Sequence, residues 1–225
     1  MINKLPKWVE IGGFFLALNA GFINAVGLLG FKHQAVSHLT GTSTFLSLAI
    51  ASAGTQEILH LMLVIASFVL GAAFSGMVIG NTALKLGRPY SLALFTESLL
   101  LLASIYFLNS GSVIGHLFAS AACGLQNAIT STYSGAVVRT THVSGLFTDL
   151  GIALGLRFRG KKTDTRKTFL YLTLICGFIA GGIVGSIVFV RLHFSALLVP
   201  SAMTALIALS YWAYWHNVAR NKSSG

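Results

Sequence analysis

Charge is scarce in this sequence. Of 225 residues only 5 are Asp or Glu, and charged residues of all kinds make up 9%. A soluble surface needs both signs in quantity, so this chain cannot cover one. Cysteine is rarer still. Cys123 and Cys176 both fall in apolar runs, which excludes a disulfide framework and a metal cluster and leaves both as small packing residues. Enzyme signatures are missing too: there is no HExxH, no G-x-S-x-G, no paired-aspartate motif and no Walker sequence. Neither an enzyme nor a cofactor is expected. His33 and His38 are five apart, a poor spacing for one helix face, and His60, His116, His193 and His216 are scattered as packing or interfacial residues are. No metal site follows.

What fills the chain is apolar side chains, at 55%. Long runs cover roughly Val9–Phe31, Glu57–Asn81, Pro89–Leu108, Ser112–Ala136, Thr168–Val190 and Phe194–Trp215. Several reach the ~20 residues that cross a bilayer as a helix. Two shorter runs, Val36–Ala53 and Thr140–Leu156, are too short to cross comfortably when measured from their glycines, Gly41 and Gly145, onward. The whole chain, 1–225, therefore reads as one all-α polytopic membrane domain with the lipid bilayer as its first partner. The basic start followed by apolar residues mimics a signal peptide, but the run continues to Phe31, too long for one.

The formal charge is +10, and its placement argues against nucleic acid as a partner. Basic residues sit in short clusters between apolar runs, the pattern of cytoplasmic loops under the positive-inside rule. If the two short segments re-enter, then Lys4, Lys7, Lys85, Arg88, the loop 157–167, Arg220 and Lys222 all face the cytoplasm. Only Lys32 and Arg191 stay outside. If they cross, Lys85, Arg88 and Arg139 move outside and nothing improves. The charge bias predicts six spanning helices, two re-entrant segments and both termini inside.

A motif is written twice across this frame. Gly21-Phe22-Ile23-Asn24-Ala25 precedes His38-Leu39-Thr40-Gly41-Thr42-Ser43-Thr44, and Gly124-Leu125-Gln126-Asn127-Ala128 precedes His142-Val143-Ser144-Gly145-Leu146-Phe147-Thr148. With three crossings per half, the second half must be inverted relative to the first. This predicts an inverted-topology 3+3 repeat with halves near 9–108 and 112–216, an arrangement that places a solute site where the halves meet. Phe68 and Gly71 match Phe178 and Gly181, with Ser75 and Gly185 four residues on; such small-residue spacing suits close helix packing.

The polar residues inside these runs are the candidate site. Asn24, Gln126 and Asn127 must find hydrogen bonds in the bundle, either to a solute or to the broken backbone of a re-entrant segment. Thr40-Gly41 and Ser144-Gly145 can break and cap a half-helix, whose N-terminus favours an anion. His38 and His142 add titratable rings, or act as interfacial anchors. Glu97 and Asp149 are carboxylates within apolar runs and so proton-coupling candidates. Asp149 has a structural alternative, pairing with Arg139 or His142.

On Gly21 to Ala25, Thr40-Gly41, Gly124 to Ala128, Val143-Ser144-Gly145 and Asp149-Leu150, the chain resembles the YoaK family of bacterial inner-membrane proteins over essentially its whole length. The resemblance implies six helices and an inner-membrane location, but no reaction or substrate. The family pattern commonly reads G-[FY]-x-D-A and T-G-N, where this chain has Asn24 and Thr42. If that family carboxylate carries a proton, coupling here is weakened or moved to Glu97. The expected function is a small secondary transporter or facilitator for an unidentified solute or ion, possible as a homo-oligomer. The alternative is a non-transporting scaffold or accessory subunit.

Overall fold

A computed structural model describes residues 7–30, 37–80, 88–134 and 140–223. All regular structure among them is helical: α1 Lys7–Gly30, α2 Leu39–Ala51, α3 Thr55–Ile79, α4 Arg88–Asn109, α5 Ile114–Ser134, α6 Val143–Phe158, α7 Thr165–Leu192 and α8 Leu198–Ser223, with a 3₁₀ turn His193–Leu197 between the last two. Each apolar run has become a helix because an unbroken backbone hydrogen-bond ladder is the form that hydrocarbon tolerates. Four helical stretches among the described residues are long and apolar enough to cross a membrane: Glu10–Gly30, Thr55–Ile79, Pro89–Asn109 and the continuous Thr165–His216, which holds both α7 and α8. Though 21 residues long, α5 is not among them, since it spends its length on His116, Ser120, Gln126, Asn127 and Thr130. At 13 and 16 residues, α2 and α6 are the short elements. Lys4, Lys32, Lys85 and Arg139, on which the charge count leaned, lie outside the described residues.

The outside is greasy, unlike that of a soluble protein, and polar side chains are buried among the apolar ones within. Leu70, Met77, Ile183 and Val190 are 68%, 77%, 57% and 73% exposed, while Asn19, Glu97, Ser104, Ser120 and Thr204 are completely buried. An apolar exterior of that extent needs lipid to cover it, so the fold is compatible with a membrane protein.

Glycines set how the helices pair. A Cβ on Gly21 of α1 would strike the Phe178 carbonyl oxygen of α7, and one on Gly181 would strike the Leu18 carbonyl oxygen of α1. The same reciprocal contact recurs elsewhere: Gly124 of α5 lies against the Phe68 carbonyl of α3, and Gly71 against the Ala121 carbonyl of α5. In each case the carbonyl belongs to the residue three before the partner's glycine. Backbones this close exclude any side chain, which is what small-residue spacing provides. Further contacts give the directions. Gly177 meets Phe14 and Gly185 meets Phe22, so α1 and α7 are parallel; Ser120 Oγ donates to the Val64 carbonyl (2.8 Å) and His60 meets His116, so α3 and α5 are parallel. Helices α4 and α8 are antiparallel, joined by Ser98 Oγ to Ser201 Oγ at 2.9 Å and by Asn109 Nδ2 to Ser195 Oγ at 3.1 Å. The offset that takes Asn24 to Asn127 takes Ser98 to Ser201.

Not every contact has such a counterpart. Helix α4 closes tightly on α5, where Ser104 Oγ donates to the Gly115 carbonyl (2.9 Å). Between α1 and α8 there is instead a groove of about 280 Å³ lined by Phe15, Met203, Leu206, Ile207 and Tyr211. The two cysteines part company as well. Cys123 is buried, as packing requires, but Cys176 is exposed on α7, which corrects the reading of both as packing residues.

Candidate functional site

Both copies of the motif open onto one crevice. It holds about 260 Å³ and is lined by Ser37, His38 and Thr40 from the first copy, by Asn127, Thr141 and His142 from the second, and by Phe68 of α3. Its walls form because each chain segment before a short helix is tied back to the preceding long one. Ser37 Oγ donates to Asn24 Oδ1 (2.8 Å), and Thr141 Oγ1 donates to Asn127 Oδ1 (2.6 Å). Asn24 therefore supports the wall through Ser37, while Asn127 lines the crevice itself. The N-terminal ends of α2 and α6 both border the space, and unpaired N–H groups there carry partial positive charge.

The caps differ from the sequence expectation. Thr40 and Ser144 do not cap; they lie in the first turn and their carbonyls accept from Thr44 Oγ1 (2.9 Å) and Thr148 Oγ1 (3.0 Å). The cap residues are His38 and His142, because Leu39 and Val143 already have helical conformation and the helices start two residues earlier. His38 Nδ1 accepts from the Gly41 N–H at 3.4 Å, whereas His142 makes no such bond. Gly41 and Gly145 also part here: a Cβ at Gly41 would lie 4.0 Å from His38 Nδ1, but one at Gly145 would strike the His142 ring. Of the other expected residues, Ser144 is exposed and Gly145 half-buried, and neither they nor Gly41 line the crevice.

Gln126 and Glu97 belong to a second group, one residue along α5 and deeper. Three long helices meet there. Asn19 Nδ2 of α1 donates to Glu97 Oε1 of α4 (3.2 Å) and to Gln126 Oε1 of α5 (3.0 Å). Gln126 Nε2 donates to the Leu16 carbonyl (2.9 Å) and, at a long 3.5 Å, to Thr140 Oγ1. Asn19, Glu97 and Thr140 are completely buried and Gln126 is 1% exposed. Sequence reasoning missed Asn19, although an amide in the middle of the first apolar run was a signal equal to Asn24. It also missed Ser37 and Thr141, which extend the doubled motif upstream to [ST]-H-x-[ST]-G-x-x-T.

Asp149 is not in this group. It is exposed on α6 and faces the Tyr171 hydroxyl and the Lys167 ammonium of α7, so the expected depth is corrected: the helix turns this position away from the interior. Arg139, its suggested partner, lies outside the described residues. His60 and His116, expected to be scattered, meet with Nδ1 of His116 3.2 Å from Nε2 of His60 at the α3–α5 contact. At the opposite end of the bundle Arg166 Nε bonds Glu10 Oε1 at 2.7 Å, tying α7 to α1. Among the described residues, no group of three or more His, Cys, Asp or Glu could hold a metal ion.

A family model described as "Protein of unknown function (DUF1275)" matches residues 12–210. No curated protein and no solved structure gives a significant match.

Proposed function

The chain belongs to that family of unknown function, and we propose that it is a small secondary transporter or facilitator of the bacterial inner membrane. It has six spanning helices, α1, α3, α4, α5, α7 and α8, in two inverted halves, with both termini in the cytoplasm and α2 and α6 re-entrant. The likeness to the YoaK family is part of the same proposal. The observation that carries it is the crevice: two copies of one motif, about a hundred residues apart, face a single space. The reciprocal glycine contacts of α1 with α7 and α3 with α5, and the antiparallel α4–α8 pair, support an inverted repeat. Ser37 and Thr141 turn the chain back to Asn24 and Asn127, inside the ends of α1 and α5, which supports re-entry.

The crevice is smaller than the ~300–1,000 Å³ of drug-sized sites, and suits a small polar solute held by hydroxyl, amide and imidazole groups. The groove between α1 and α8, set against the closed α4–α5 contact, supplies the unequal halves that alternating access uses. Proteoliposomes are the test. A solute in a broad metabolite panel is taken up, and uptake falls with Thr141→Val or His142→Ala. No flux and no ligand stabilisation across the panel would sink the proposal.

One observation favours the alternative. Asn24 and Asn127 already bond Ser37 and Thr141, as residues of a scaffold would. A scaffold predicts that Asn24→Ala and Asn127→Ala lose stability while partners still co-purify.

A further inference from the structure

We infer that Asn19, Glu97 and Gln126 form a binding site for one monovalent cation, a proton or a sodium ion, built between α1, α4 and α5. The donor inventory carries it. Both hydrogens of Asn19 Nδ2 are committed, to Glu97 Oε1 and Gln126 Oε1, and both of Gln126 Nε2, to the Leu16 carbonyl and Thr140 Oγ1. Every amide N–H of the cluster is used. Two acceptors are left over, Glu97 Oε2 and Asn19 Oδ1, both buried and without a hydrogen-bond partner among the described residues. Native interiors rarely leave such atoms unsatisfied, and each calls for an explanation.

What the cluster lacks is positive charge on oxygen. Among the described residues no basic side chain bonds or ion-pairs with Glu97, and the titratable group that interacts with it is the Cys123 thiol of α5, with none added from α1, α3 or α8. A lone carboxylate among apolar helices is expensive. A proton on Oε2 removes the charge and adds the missing donor. A sodium ion neutralises it and takes carboxylate and amide oxygens, the hard ligands such ions prefer. Both ligands answer the same deficit.

The position gives the site a consequence. Gln126 is followed by Asn127, and Thr140 by Thr141, so two neighbouring rungs join α5 to the start of α6. One rung touches the cation site and the other lines the crevice. Cation occupancy is thereby linked to the geometry of the solute crevice, which is its meaning in transport and rests on the proposal above.

The experiment is thermal unfolding of the purified full chain in lipid nanodiscs, across pH, with sodium chloride replaced by choline chloride at constant ionic strength. For a sodium site the wild-type midpoint rises saturably with Na⁺. For a proton site it is indifferent to Na⁺ and changes with pH. Either response disappears in Glu97→Gln, whose amide provides a permanent donor without charge, and persists in Cys123→Ala. Should Glu97→Gln fold poorly, Asn19→Ala is read instead and weakens the apparent affinity at least tenfold. A wild-type midpoint indifferent to both Na⁺ and pH, or a full response retained in Glu97→Gln, overturns the site. None of these readouts needs a solute, so absent flux would overturn transport while leaving the cation site standing.

Discussion

The crevice and the three-helix cluster are neighbours on α5, and they are built by opposite rules. Much of the crevice has a twin: Asn24 with Ser37 answers Asn127 with Thr141, and His38 answers His142, while Thr40 and Phe68 line it without their counterparts. The cluster has none. At the offset that relates the two asparagines, Asn19 falls on Ala122, Glu97 on Pro200 and Gln126 on Ile23. The offset relates the crevice residues to one another and leaves the buried acid and its amides unmatched.

That contrast can be broken experimentally, starting with the frame. Gly21→Ala and Gly124→Ala each push a Cβ into a backbone carbonyl of the partner helix. Each costs about 3 kcal/mol or more, and by almost the same amount, read as a fall in the unfolding midpoint. If only one of the two is harmful, the matched packing of the halves is not real. Next comes Gln126→Leu, which strips an acceptor from Asn19 and costs about 1–3 kcal/mol. Asn127→Ala, one residue away, leaves only the Thr141 hydroxyl at the crevice wall unpaired and costs about 1 kcal/mol; comparing the two midpoints ranks the cluster against the crevice.

Smaller effects probe the symmetry within the motif itself. Gly41→Ala has open space around it and gains about 0.5–1 kcal/mol from better helix propensity. Gly145→Ala must displace the His142 ring and does not show that gain. Equal effects at both positions would mean that the histidines occupy equivalent conformations. Smallest is Glu10→Gln, which removes a partly exposed ion pair with Arg166 and costs about 0.5 kcal/mol, less in high salt.

Much of the fold was legible because its signals are local. Hydrophobic run length gave the helices, and α3 and α7 begin and end within a few residues of their runs. The doubled motif pointed to His38, Thr40, Asn127 and His142, which do share a crevice. The caps were misplaced because a hydroxyl beside glycine looks like a cap, while the histidine ring that takes the role has no strong capping preference. Asn19 was overlooked because its meaning depends on Glu97 and Gln126, 78 and 107 residues away. No periodicity within one helix reports that three helices will converge. Asp149 shows the reverse failure: its depth in an apolar run suggested burial, but which face of α6 it occupies is fixed by packing against α7.

The two motif copies face each other across one small space. The most direct measurement is thiol bridging of His38→Cys/His142→Cys in a chain also carrying Cys123→Ala and Cys176→Ala, read by intact-protein mass spectrometry. A short bifunctional maleimide is predicted to bridge the pair, adding one reagent per chain. Two singly attached reagents per chain, with no bridged species, would contradict it.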